Sequence, residues 1–175
     1  MVSGRFFLWL ATAGFIASAV LHLSTFIGRL PPPGDGLALA LFAGAFVPLV
    51  AMLIRLRGAV PPSPGGRMAA LRGVVGLVPS GARMLIVGVV LYTLMNLVFS
   101  LMLTGGVTAE AVGDKHYLID GGRREEVSRE EYDVYRRLTI RLVSGHLLLL
   151  YLVPLTYFRF VDPRRYLRAP VLDTP

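Results

Sequence analysis

FFLWLATAGFIASAVLHLSTFI, residues Phe6 to Ile27, contains no Asp, Glu, Lys or Arg. A helix crosses the apolar part of a bilayer in roughly 17–25 residues, so this stretch is a membrane span by length and composition. Three more charge-free stretches follow: LALALFAGAFVPLVAMLI (Leu37–Ile54), MLIVGVVLYTLMNLVFSLML (Met84–Leu103) and LVSGHLLLLYLVPLTYF (Leu142–Phe158). Arginines mark several edges, at Arg5, Arg29, Arg55, Arg83, Arg141 and Arg159. The second and fourth stretches each hold a proline, Pro48 and Pro154, which frees a carbonyl and predicts a kink. The expectation is an all-α membrane protein, a four-helix transmembrane bundle forming one domain over residues 1–175.

The whole chain agrees with this expectation. Its 175 residues are 54% apolar and 17% charged, against about 45–50% and about 25% in soluble domains. A soluble core of this size cannot hide that excess, and a disordered chain would be poorer in apolar residues. Cysteine is absent, which excludes disulfides, zinc–thiolate sites and thiol nucleophiles. Ala17-Ser18-Ala19 resembles a signal-peptide cleavage site, but the apolar run continues to Ile27, beyond the about 7–15 residues of a cleaved signal core. An uncleaved span is expected.

Basic residues set the expected orientation. With four spans both termini share a side, and that side carries ten basic residues against two acids, Asp162 and Asp173. The opposite side carries eight against nine. The acid-free second loop, with Arg55, Arg57, Arg67, Arg72 and Arg83, predicts cytoplasmic termini and a multi-pass protein of the cell inner membrane. The pI of 10.4 then reflects arginines facing anionic headgroups. These arginines have no interleaved aromatics, so the expected partners are the lipid bilayer and other membrane subunits, with no nucleic acid.

Outside the spans, Pro31-Pro32-Pro33-Gly34-Asp35-Gly36 predicts a tight hairpin between the first two. In the second loop Met68, Leu71, Val75 and Val78 recur at helical spacing, predicting an amphipathic interfacial segment over about 67–78. In the third loop Lys115–Ile119 and Arg123–Val127 flank Asp120-Gly121-Gly122, a turn signal for a small extracytoplasmic β-hairpin cap. Ser128 and Glu131 form a capping box. The fourth helix is therefore expected to begin near Arg129, well outside the membrane, with Tyr132 and Tyr135 turned inward. The charges of this loop alternate in sign and predict a self-neutralised face; His116 is expected to be solvated.

The stretch KHYLIDGGRREEVSREEY, followed by RLVSGHLLLLY, resembles a pattern in small polytopic bacterial inner-membrane proteins of unassigned function. There a short GKYYL…HG hairpin precedes EVS..EY, and R..SGHW opens the last span. The resemblance covers Lys115 to Tyr151, roughly a fifth of the chain. Asp120-Gly121 stands where His-Gly is common, and Leu147 where Trp is common. It implies a bacterial inner membrane and an organised junction between hairpin and span, and it implies no catalytic residue.

Ionisable residues inside a membrane are functional candidates by default, and the spans hold two, His22 and His146. At 1.5 Å per residue, His22 lies about 10 Å below Arg29, His146 about 8 Å below Arg141 and Asn96 about 12 Å below Thr104. Gly14, Ser18, His22 and Thr25 share a stripe, as do Tyr92, Asn96 and Ser100, while Ser144 and Gly145 adjoin His146. A polar cluster of Ser18, His22, Tyr92, Asn96, Ser100, Ser144 and His146 is expected between spans one, three and four, with small residues allowing close approach. Its simplest use is interhelical hydrogen bonding. Haem b between His22 and His146 is the competing use, with a quinone, pigment or metal contact beside it.

No nucleophile–base pair or carboxylate lies in a span, and no G-x-S-x-G, H-E-x-x-H, phosphate-loop or dinucleotide fingerprint occurs in the sequence. The expected function is a non-enzymatic accessory or structural subunit of a larger membrane complex. The alternative is an electron-transfer subunit that uses the two histidines.

Overall fold

A computed structural model of the protein describes residues 3–28, 34–59 and 72–162. Four helices dominate: α1 (Gly4–Phe26), α2 (Gly34–Ala59), α3 (Ser80–Thr104) and α4 (Arg129–Thr156). All four are long and apolar enough to cross a membrane. Their ends follow local chemistry. Ser3 caps α1 by accepting from the Arg5 N–H at 3.2 Å. At the end of α3 the left-handed Gly105 turns its N–H back to the Leu101 carbonyl at 2.8 Å. Ser128 caps α4 by accepting from the Glu131 N–H at 3.2 Å, the reach expected of a capping box.

Helix α4 is the hub, touching α1, α2, α3 and the sheet. Helices α1 and α2 also contact each other. On α3 the buried residues are Thr93, Asn96 and Ser100, and its remaining surface is largely exposed and apolar.

The expected prolines act differently from one another. Helix α2 continues through Pro48. Two residues after Pro154, α4 passes into a π turn, Tyr157–Val161, closed by the Asp162 N–H on the Tyr157 carbonyl at 2.9 Å. Met52, Tyr157, Phe158, Val161 and Val78 form a core at this end, with Val74 packed against it. The interfacial segment expected over 67–78 lies partly outside the described residues. Within them, 72–76 form a short helical stretch that buries Val78 and leaves Val75 exposed. Its inward side is therefore Val74 and Val78, a correction to the expected stripe.

The cap has three strands where a two-stranded hairpin was expected. β1 (Thr108–Val112), β2 (Lys115–Asp120) and β3 (Arg123–Val127) form an antiparallel meander in that order. Val112 pairs with Lys115 and Asp120 with Arg123, so both turns have two central residues. Gly113, Gly121 and Gly122 take positive φ in them, as primed hairpin turns require. Two strands alone are marginal in water, and a third strand packed on a helix relieves that. Register places Glu110, Tyr117 and Glu126 on one face, where Lys115–Glu126 (2.8 Å) and Arg124–Glu110 (2.6 Å) pair. His116 belongs to the other face and packs against Tyr132 of α4, with 4.7 Å between ring centroids and the planes tilted by 55°. It docks the sheet, correcting the expected solvated histidine. Arg136 of α4 reaches Asp35 in the first turn of α2 at 2.8 Å.

Candidate functional site

The polar residues of α1, α3 and α4 meet along α4. Ser144 Oγ donates to the Ile140 carbonyl of its own helix at 2.6 Å. That uses its single hydrogen, so it must accept from Nδ1–H of His22, 2.9 Å away. With Nδ1 protonated, Nε2 of His22 accepts from the Tyr92 hydroxyl. One neutral imidazole thus joins three helices, each interhelical bond contributing about 0.6 kcal/mol and at most about 1.7.

Gly145 makes the neighbouring contact possible, because a Cβ there would stand 2.5 Å from Nδ2 of Asn96. Asn96 Nδ2 donates to the Arg141 carbonyl at 3.2 Å, and Thr93 Oγ1 lies 3.3 Å from the Gly145 carbonyl. Above them Arg141 reaches the Thr25 hydroxyl at 3.2 Å and its carbonyl at 3.1 Å, with its guanidinium 4.0 Å from the centre of the Phe26 ring. Arg137 reaches the Gly28 carbonyl at 3.4 Å. Cations at a helix C-terminus satisfy its last carbonyls and oppose its dipole; here α4 supplies them to α1.

His146 is elsewhere. At about 100° per residue it stands about 200° around α4 from Ser144, and its Nδ1 bonds the Leu142 carbonyl at 2.8 Å. It lines a groove of about 700 Å³ between α2 and α3, floored by Thr139, Leu142, Val143, Leu149 and Leu150 of α4. The two histidines are not brought together. Both nitrogens of His22 are engaged, so the pair does not fit an axial haem ligand set. Nor do three or more His, Asp or Glu gather as metal ligands among the described residues.

The chain matches no protein-family model, no curated protein and no solved structure.

Of the expected cluster, His22, Tyr92 and Ser144 form one connected unit, and Asn96 joins α4 beside it. Ser18 and Ser100 are buried, and Ser18 Oγ has no hydrogen-bond partner among the described residues. Tyr92 sits at the rim, and Thr93 holds the inward position instead.

Two contacts went unforeseen. Tyr151, buried on α4, passes between α1 and α2 and donates its hydroxyl to the Leu41 carbonyl at 2.7 Å. Gly14 and Gly44 give it room, since Cβ atoms there would lie 2.1 and 3.0 Å from it. At the other end Arg55 of α2 pairs with Asp162 at 2.6 Å, both side chains nearly buried at 12% and 4% exposure. Gly4 lets α1 approach that pair. The signal for Tyr151 was a glycine at helical mid-height on two separate spans. Asp162 had only its acidity, as one of two acids on a side with ten basic residues.

Proposed function

We propose that this chain is a multi-pass protein of a bacterial inner membrane, with both termini cytoplasmic and the sheet outside, serving as a non-enzymatic structural subunit of a larger membrane complex. The observation that carries this reading is how the mid-membrane polar groups are spent. His22, Tyr92, Ser144 and Asn96 bond to one another or to backbone across helices, which rigidifies a scaffold and leaves His22 no nitrogen for chemistry. A second observation supports a subunit role. Helix α3 packs mainly on α4, with Tyr92 reaching His22 of α1, and exposes a face of Leu91, Leu94, Met95, Val98 and Met102, a surface suited to lipid or to another subunit's helix.

The chain's lack of cysteine allows a direct test of topology. Asp114→Cys in the β1–β2 turn should react with a membrane-impermeant maleimide in intact cells, and Arg57→Cys should react only after lysis. The reverse pattern refutes the orientation. For the subunit role, mild-detergent extraction should give a particle heavier than the monomer with a second polypeptide; a lone monomer that turns over a substrate refutes it.

A further inference from the structure

The groove on the far side of α4 holds one polar group whose chemistry is fixed and unused. Leu142 O can only accept, so the ring nitrogen facing it, Nδ1 of His146, carries the hydrogen. In the neutral imidazole Nε2 is then a bare acceptor. No hydrogen-bond partner meets it among the described residues, and His146 lines the groove. Leu142 and Val143 flank His146 one turn above, and Leu149 and Leu150 one turn below. The other polar groups of the groove, Thr139 and Asp35, are already bonded, to the Tyr135 carbonyl at 3.1 Å and to Arg136 at 2.8 Å.

We propose that this groove binds the reduced, hydroxyl-bearing form of a lipid-soluble quinone, one ring hydroxyl donating to Nε2 of His146. The proposal rests on the membrane placement above and adds a ligand to it. The occupant must supply a donor about 8 Å below Arg141. A diacyl phospholipid offers only methylenes at that depth. A hydroquinone is neutral and apolar enough to reside there, and flat enough to lie between the two leucine turns. Its tail follows the apolar floor, and Phe42 of α2 lines the same groove for ring contact. A volume of about 700 Å³ falls within the about 300–1,000 Å³ of ligand pockets. Redox form is selected by the same atom. An oxidised quinone presents only carbonyl acceptors to Nε2, so it gains no bond there.

The test uses the full chain in phosphatidylcholine nanodiscs, titrated calorimetrically with decylhydroquinone, its dimethyl ether, decylbenzoquinone and decanol. The ¹⁵N resonances of the His146 ring are followed in parallel. Decylhydroquinone should bind about 3–10-fold more tightly than the other three, the range one neutral hydrogen bond supports, and it alone should shift Nε2. His146→Leu should bring hydroquinone and diether to equal affinity. Leu39→Trp, at an exposed groove position on α2, should weaken every probe without disturbing the His22 network. Equal binding of hydroquinone and diether, a preference that survives His146→Leu, or decanol binding as tightly as hydroquinone each overturns the proposal. Co-flotation of the protein with vesicles is measured separately, so a failure of membrane placement is told apart from a failure of the ligand.

Discussion

Replacing Gly14 with alanine probes the tightest glycine notch between helices among the described residues. An added Cβ would stand 2.1, 2.3 and 2.5 Å from Cε1, Cζ and Cδ1 of Tyr151. The ring cannot swing aside cheaply, because its hydroxyl is held by the Leu41 carbonyl at 2.7 Å and Gly44 borders it on α2. Overpacking a fixed site costs about 1–3 kcal/mol. Displacing the hydroxyl loses a further interhelical bond of about 0.6–1.7 kcal/mol. Alanine returns up to about 1 kcal/mol of helix propensity over glycine. The net expectation is about 2–4 kcal/mol of destabilisation, the upper part of that balance, since three ring atoms clash at once. Reversible unfolding in bicelles gives the measurement, and a double-mutant cycle gives its cause. Tyr151→Leu clears the space, so Gly14→Ala in that background should cost about 1–3 kcal/mol less than in the native chain. Additivity of the two changes within about 0.5 kcal/mol would show that the ring does not occupy the Gly14 notch, and the account of the α1–α4 contact would fall.

His22→Leu removes two interhelical bonds and should destabilise by about 1–3 kcal/mol in the same unfolding assay, with Tyr92→Phe costing about half of that; no change in either would place the imidazole outside the network. At the other end, Arg55→Leu strands a carboxylate that is already 3% exposed and should cost about 3–5 kcal/mol. Arg55→Leu with Asp162→Leu should recover most of that loss, and a double variant as weak as the single would refute the pairing. In the cap, burial raises the pKa of Tyr132, against a smaller opposing effect of Arg136, and the Glu126 carboxylate raises that of Lys115. Both folded pKa values exceed the unfolded ones, so these contributions are complete below about pH 10 and fade as pH rises through the folded values. Hydrogen exchange in the sheet should therefore accelerate above about pH 10 before the helices respond, and an unchanged Tyr132 phenolate titration in His116→Ala would refute the docking of the sheet on that ring.

Much of the fold was legible because it is local. A charge-free run of sufficient length, a Ser-x-x-Glu cap and an Asp-Gly-Gly turn each act within a few residues, and each appears near its expected place. β1 escaped because TAEAV is almost wholly exposed and its alternation rests on two alanines, which are depleted in strands; Gly113-Asp114 was the turn signal that could have revealed it. Partner assignments inside the bundle were harder. Of the stripe expected on α3, Asn96 and Ser100 are buried as placed, while Tyr92 lies at the rim, still bonded to His22, and Thr93 takes the inward place beside it. Arg55 read as an edge arginine because its carboxylate lies 107 residues along the chain. Pairings at that separation come from how helices pack around α4, which no spacing within one span records.

The opposite fates of His22 and His146 follow from angles on α4. Ile140, Ser144, Leu147 and Tyr151 are buried and fall within about 60° of one direction at about 100° per residue; this side meets α1, through Ser144 to His22, and α2, through the Tyr151 hydroxyl. Arg141 and Gly145 lie about 60–100° round from Ser144 and receive Asn96 of α3. His146 lies about 200° round, where α2 and α3 diverge and leave the groove. Shared depth suggested shared purpose, but depth is one coordinate of a cylinder and rotation is the other. A histidine on the buried face completes its bonds when the helices close. One on the groove face keeps an acceptor that no described residue meets.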